Sequence, residues 1–101
     1  MSSRPVVFQV DFNSDCRRYI PFATDLARRE GAKLVFVHVD PEALDESALI
    51  TGKLSTSWDE LRTYVPSDEA VPHEHHVVKG LTGDALVRFA TEIRARMILL
   101  C

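Results

Sequence analysis

At 101 residues the chain is long enough to bury one core between a sheet and its helices and too short for two. Its 12 basic and 15 acidic residues are intermixed and leave a formal net charge of −3, so no basic face points to nucleic acid and no acidic run to a disordered tail. No apolar run approaches the length of a membrane span, and residues 1–5 lack the apolar core of a signal peptide, so a cytoplasmic protein without a membrane or nucleic-acid partner is expected.

Val6, Val7, Phe8 and Val10 make a short apolar run broken by Gln9, the pattern of a strand covered on both faces. Asp11 ends it. In an open parallel sheet the carboxyl ends of the strands border the ligand crevice, so Asp11 is a candidate recognition residue. The competing reading is that it caps the turn that follows.

Ser14, with Asn13 as its rival, is placed to cap a first helix. Cys16, Tyr19, Ile20, Ala23, Leu26 and Ala27 recur at three- and four-residue intervals and form the stripe expected to pack on the sheet. Pro21 implies either a kink or a regular helix that starts only there, and Gly31 the stop.

Lys33 to Val39 reads as a second buried strand, with His38 its one polar residue near the end; this is the setting of a satisfied core histidine more than of a catalytic base. Residues 42–56 are the least legible, with a short helix expected before Gly52. Ser57 and Glu60 have capping-box spacing, and the helix they open should carry Trp58, Leu61 and Val65 and close before Pro66.

His73 to Lys79 is a third strand, polar enough to suggest the edge of a sheet. His73 and His75 share a strand face, which raises a metal pair with His76 nearby, but no third ligand is apparent and solvent-facing histidines are the plainer expectation. A third helix begins at Thr82 or Gly83, with Leu86, Phe89, Ala90 and Ile93 on one face and Asp84 in its first turn. Met97 to Leu100 form a fourth apolar strand. The order β, α, β, α, β, α, β implies an α/β fold, an open parallel sheet with helices on both faces.

Cys16 and Cys101 lie on separate elements without metal-ligand spacing and are expected as reduced thiols; Cys16, beside Arg17 and Arg18, is either a packed sulfur or a redox-sensitive one. Several chemistries are absent from the sequence. There is no Gly-x-Gly-x-x-Gly after the first strand, no phosphate-loop Gly-Lys-Ser/Thr, no nucleophile elbow, and no aspartate at the third strand's end, Val78-Lys79-Gly80, for a receiver domain.

Val10-Asp11-Phe12 followed by Ser14, then DLARREGAKLVFVHV at 25–39 and GLTGDALVRFA at 80–90, is similar in order and spacing to the universal stress protein family. The resemblance implies a flavodoxin-like three-layer sandwich over residues 1–101 as a single domain, of the kind shared with adenine nucleotide alpha-hydrolases. It implies a non-enzymatic regulatory role in which ATP, AMP or another adenine nucleotide binds without a metal at the carboxyl ends of the strands. The family's adenosine contacts fall on Val10, Asp11 and Val39, and Leu100 matches the last strand position before its phosphate-holding loop. That loop, Gly-x-x-Gly and a spaced Gly-Ser or Gly-Thr, does not appear; Cys101 stands where its first glycine would be. Nor does the fifth strand through which relatives commonly form homodimers, so a truncated domain or an obligate partner is expected. The alternative role is an interaction module that binds no small ligand and acts by homo-oligomerisation.

Overall fold

The computed structural model describes residues 4–40 and 56–101. Four strands, β1 (Val6–Gln9), β2 (Leu34–Asp40), β3 (His73–Lys79) and β4 (Met97–Leu100), form one parallel sheet in the order β3-β2-β1-β4. Register is continuous: Phe8 lies opposite Phe36 on one side and Leu99 on the other. Three helices are described, α1 (Ile20–Arg29), α2 (Thr56–Leu61) and α3 (Thr82–Glu92). The short helix expected before Gly52 lies outside the described residues.

The alternation of side chains across each strand divides the core in two. Val6, Phe8, Val10, Leu34 and Phe36 face α1 and the α2 region, packing with Cys16, Ile20, Ala23, Ala27, Leu61 and Tyr64. Val7, Val35, Val37 and Val39 face the other way, onto Ala85, Leu86 and Ala90 of α3. Helices therefore cover both faces. The central strands are sealed, whereas β3 and β4 are half-exposed edges, as the polar sequence of β3 implied.

Several local expectations need correction. The chain leaves β1 through a turn and a 3-10 segment (Cys16–Tyr19), and the regular helix starts at Ile20 with Pro21 in its first turn, where a missing N–H costs nothing. Neither Asn13 nor Ser14 is a helix N-cap. The cap of the 3-10 segment is Asp15 and that of α1 is Tyr19, neither with a side-chain cap bond. Tyr19 leaves the buried stripe and Thr24 enters it, because the tighter 3-10 pitch shifts the helical phase. Thr24 Oγ1 accepts the backbone N–H of Ser67 at 3.1 Å, which satisfies its buried hydroxyl. Ser57 is the second residue of α2 rather than a residue ahead of it, and the helix ends at Leu61, so Tyr64 is buried and Val65 exposed.

Two helices end alike. Gly31 follows α1 with φ 61°, and Ala32 N–H reaches Ala27 O at 2.8 Å. After α3, Arg94 takes φ 56° and Ala95 N–H reaches Ala90 O at 2.9 Å, so a side chain occupies the left-handed position where glycine is favoured. Among the described residues, no helix is long and apolar enough to cross a membrane.

Candidate functional site

The strand order reverses at β1: the chain moves outward through β2 and β3, then returns to the other side of β1 as β4. The carboxyl ends of β1 and its neighbours therefore border the crevice in which open α/β sheets bind ligands. Val10, Asp11, Val39 and Leu100 all lie at or beside these ends.

Val10 is buried and its N–H donates to Val37 O at 2.7 Å, which carries the β1–β2 pairing one residue past β1. Its carbonyl lies 2.9 Å from His38 Nδ1. A carbonyl only accepts, so Nδ1 carries the hydrogen, and in the neutral ring Nε2 remains an acceptor. The His38 ring also stacks on Phe12, with centroids 4.1 Å apart. His38 is thus the satisfied, half-buried histidine that its sequence setting suggested. The Phe12 stack gave no sequence signal, because it joins the turn after β1 to a strand that only the fold brings alongside.

Asp11 is half-buried. One carboxylate oxygen accepts the Asn13 N–H at 2.9 Å and the other accepts the Ser14 hydroxyl at 3.2 Å, while Ser14 N–H returns to Asp11 O at 3.0 Å. Asp11 therefore organises its own turn, and Ser14 serves Asp11 rather than a helix. A carboxylate offers about four lone-pair directions, so these bonds leave it able to accept more. Val39 is buried against α3, while Leu100, paired with Gln9 in register, has an exposed side chain.

On the aromatic face, Arg17 is committed elsewhere. Its guanidinium donates to Thr63 Oγ1 at 2.6 Å and sits 4.0 Å from the Tyr64 ring centroid, tying the 3-10 segment to the α2 region. His75 is not solvent-facing as expected; it is half-buried, stacks on Phe36, and its Nε2 donates to Tyr64 O at 2.6 Å. On the other face of β3, Glu74 accepts from Lys33 and contacts His76, and these hydrogen bonds, Lys33 first, hold its carboxyl below the ordinary range. Among the described residues, no three His, Cys, Asp or Glu side chains are grouped to hold a metal.

The two cysteines are not separate thiols. Cys16 and Cys101 form a disulfide with Cα atoms 5.4 Å apart, closing a sequence separation of 85 residues. The bond joins the end of β4 to the segment after β1, elements made neighbours by the sheet order and invisible to residue spacing. Cys16 Sγ lies 3.3 Å from both the N and the O of Asp11, so the cross-link rests against the backbone of the candidate recognition residue.

A second concavity, of about 620 Å³, lies away from these residues, between α3 and β4. Arg4, Arg94 and Arg96 line it together with Val87 and Thr91 of α3 and Met97 and Ile98 of β4. It is an open trough beside an edge strand. The crevice at the strand ends, with the Asp11 carboxylate and the half-buried Phe12 ring, is the site that the sheet topology favours.

The molecule is an α/β protein of the flavodoxin-like kind, with its candidate site at the switch point of an open parallel sheet. The Universal stress protein family matches residues 2–100, and the chain belongs to that family. Among solved structures it is similar to the universal stress protein from Archaeoglobus fulgidus in complex with dAMP, at 29% identity over 99% of this chain and 82% of that one, with a TM-score of 0.67. A protein from Mycobacterium tuberculosis H37Rv shares the fold at 23% identity, covering 99% of this chain and 71% of that one, with a TM-score of 0.58. So does a universal stress protein in complex with cAMP, at 23% identity, 97% and 75% coverage, and a TM-score of 0.59. No curated protein matches the chain.

Proposed function

We propose that this chain is a non-enzymatic regulatory domain that binds an adenine nucleotide, without a metal, at the carboxyl ends of β1 and β2. The observation that carries the reading is its likeness, over nearly its whole length, to a family member in complex with dAMP. The local chemistry suits a nucleoside. Asp11 has acceptor capacity for ribose hydroxyls or an exocyclic amine, and Phe12 presents a half-buried ring nearby. Leu100 borders the same crevice from β4.

Calorimetric titration of the pure protein with AMP, ADP and ATP tests this. Saturable heat that Asp11→Ala weakens by about 1.5–3 kcal/mol, the worth of a charged hydrogen bond, is the expected result. Absence of binding by all three removes the reading, and an unchanged affinity in Asp11→Ala returns Asp11 to its turn.

Assembly is a second reading, favoured by the outer edge of β4, which carries no partner strand among the described residues, beside the exposed Val87. An unpaired strand edge is a template for another strand, and a homodimer is its simplest product. Light scattering over a concentration series that shows a monomer throughout excludes it.

A further inference from the structure

The Cys16–Cys101 bond lies at the carboxyl ends of β1 and β4, the two strands between which the chain reverses direction and the crevice opens. Its two sulfurs are in different surroundings. Cys16 is fully buried under the turn after β1, whereas Cys101 is exposed, so a small thiol in solution reaches the bond from the Cys101 side. The Cys16 sulfur in turn touches both backbone polar atoms of Asp11, whose carboxylate oxygens are directed into the Asn13 and Ser14 bonds of the same turn. One covalent bond therefore ties the end of β4 to the segment against which the Asp11 backbone rests.

We propose that the Cys16–Cys101 disulfide is an exchangeable latch on the crevice: oxidised, it holds the Asp11 turn closed and lowers nucleotide affinity, and reduced, it releases both. This inference rests on the nucleotide reading above. In opening, a low-molecular-weight thiolate such as that of glutathione attacks Cys101 Sγ. The Cys16–Cys101 bond breaks, Cys16 leaves as a thiolate and takes up a proton, and a mixed disulfide remains on Cys101. A second thiolate attacks the sulfur of the bound small molecule and releases it as the symmetric disulfide, with Cys101 left as a thiol. Two electrons pass from the small thiols to the protein pair. Closing is the same sequence reversed, with glutathione disulfide as the oxidant.

Latch and ligand act on the same turn, so their effects are reciprocal. If reduction raises nucleotide affinity by some factor, saturating nucleotide shifts the thiol–disulfide equilibrium toward the dithiol by that factor. A bond that only stabilised the fold, without reaching the site, shows neither effect.

The test is calorimetry with AMP on the full chain, once after glutathione disulfide and once after reduction, with the cysteine state read by alkylation and intact mass. Cys101→Ser serves as a permanently open form. The expected result is AMP affinity roughly fivefold or more higher in the reduced protein and in Cys101→Ser, with no response of that variant to oxidant. Equal affinity in both states overturns the latch while leaving the nucleotide reading in place. Two alkylatable thiols that persist in glutathione disulfide also overturn it. Absence of AMP binding in either state and in the variant overturns the nucleotide reading and the latch with it.

Discussion

The two faces of the sheet are packed by different chemistry. Towards α1 and the α2 region the layer is built from Phe8, Phe36, Tyr64, the disulfide-bonded Cys16 and the half-buried Phe12, with rings meeting edge-on or tilted. Towards α3 it is aliphatic, with Val7, Val35, Val37 and Val39 set against Ala85, Leu86 and Ala90. Long aromatic side chains with polar neighbours let the first layer reach the strand ends, and the candidate site grows from its upper margin. The aliphatic layer brings α3 close and adds no polar group to its core. The candidate site thus takes Phe12 from the margin of the aromatic layer, while Val39 belongs to the aliphatic one.

That division is open to direct attack. Phe36→Ala, which empties a fully buried ring site on the aromatic face, is expected to cost about 3–5 kcal/mol in urea denaturation. Reducing the disulfide comes next. The cross-link closes a separation of 85 residues, and its loss is expected to lower unfolding free energy by roughly 2–4 kcal/mol, read as a shift in the urea midpoint with and without reductant. Val35→Ala on the aliphatic face removes less volume and is expected to cost about 2 kcal/mol while leaving AMP affinity unchanged. A large loss of affinity there, with none in Phe36→Ala, breaks the assignment of the site to the aromatic face.

Two smaller effects sharpen it. Arg94→Gly, which relieves a left-handed backbone position at the end of α3, is expected to stabilise by roughly 0.5–1 kcal/mol, visible as a rise in melting temperature. Glu74 sits lowest on the scale. Its folded pKa is depressed, so its contribution is present above the unfolded value near 4.5 and is lost as pH falls through the folded value. The carboxylate is exposed and screened, so comparison of Glu74→Gln with the parent chain should show a slightly flatter stability profile below that pH and little difference at neutrality.

Much of this architecture was legible in the residues. Apolar runs with a single polar residue each, Gln9 and His38, marked β1 and β2 as interior, and the histidines and Glu74 of β3 marked an edge. Composition said less about β4, since Met97 to Leu100 is as apolar as any interior strand yet lies at the other edge. Hydrophobicity reports that a strand is covered somewhere, not which neighbours it has. The site was legible as a position, through Asp11 at a strand end, and illegible as a set of contacts. The stack of Phe12 on His38 and the joining of Cys16 to Cys101 depend on which strands lie side by side, and local periodicity carries no such information. The 3-10 segment escaped for another reason: Cys16, Tyr19 and Ile20 fit an α-helical stripe on paper, and only the tighter pitch ahead of Pro21 turns Tyr19 outward.

The strand order also constrains how the protein is made. β1 is synthesised before the other three described strands and lies between β2 and β4, with Val6 opposite Leu34 on one side and Met97 on the other. During translation the β1–β2 pair forms early, but the flank of β1 that receives β4 stays open, with its backbone N–H and C=O groups unpaired, until Met97 to Leu100 have left the ribosome. Pairing of such high sequence separation is slow to form, and an unpaired strand flank attracts foreign strands in the meantime. The nascent chain therefore carries an aggregation risk along β1 until β4 arrives to cover that flank.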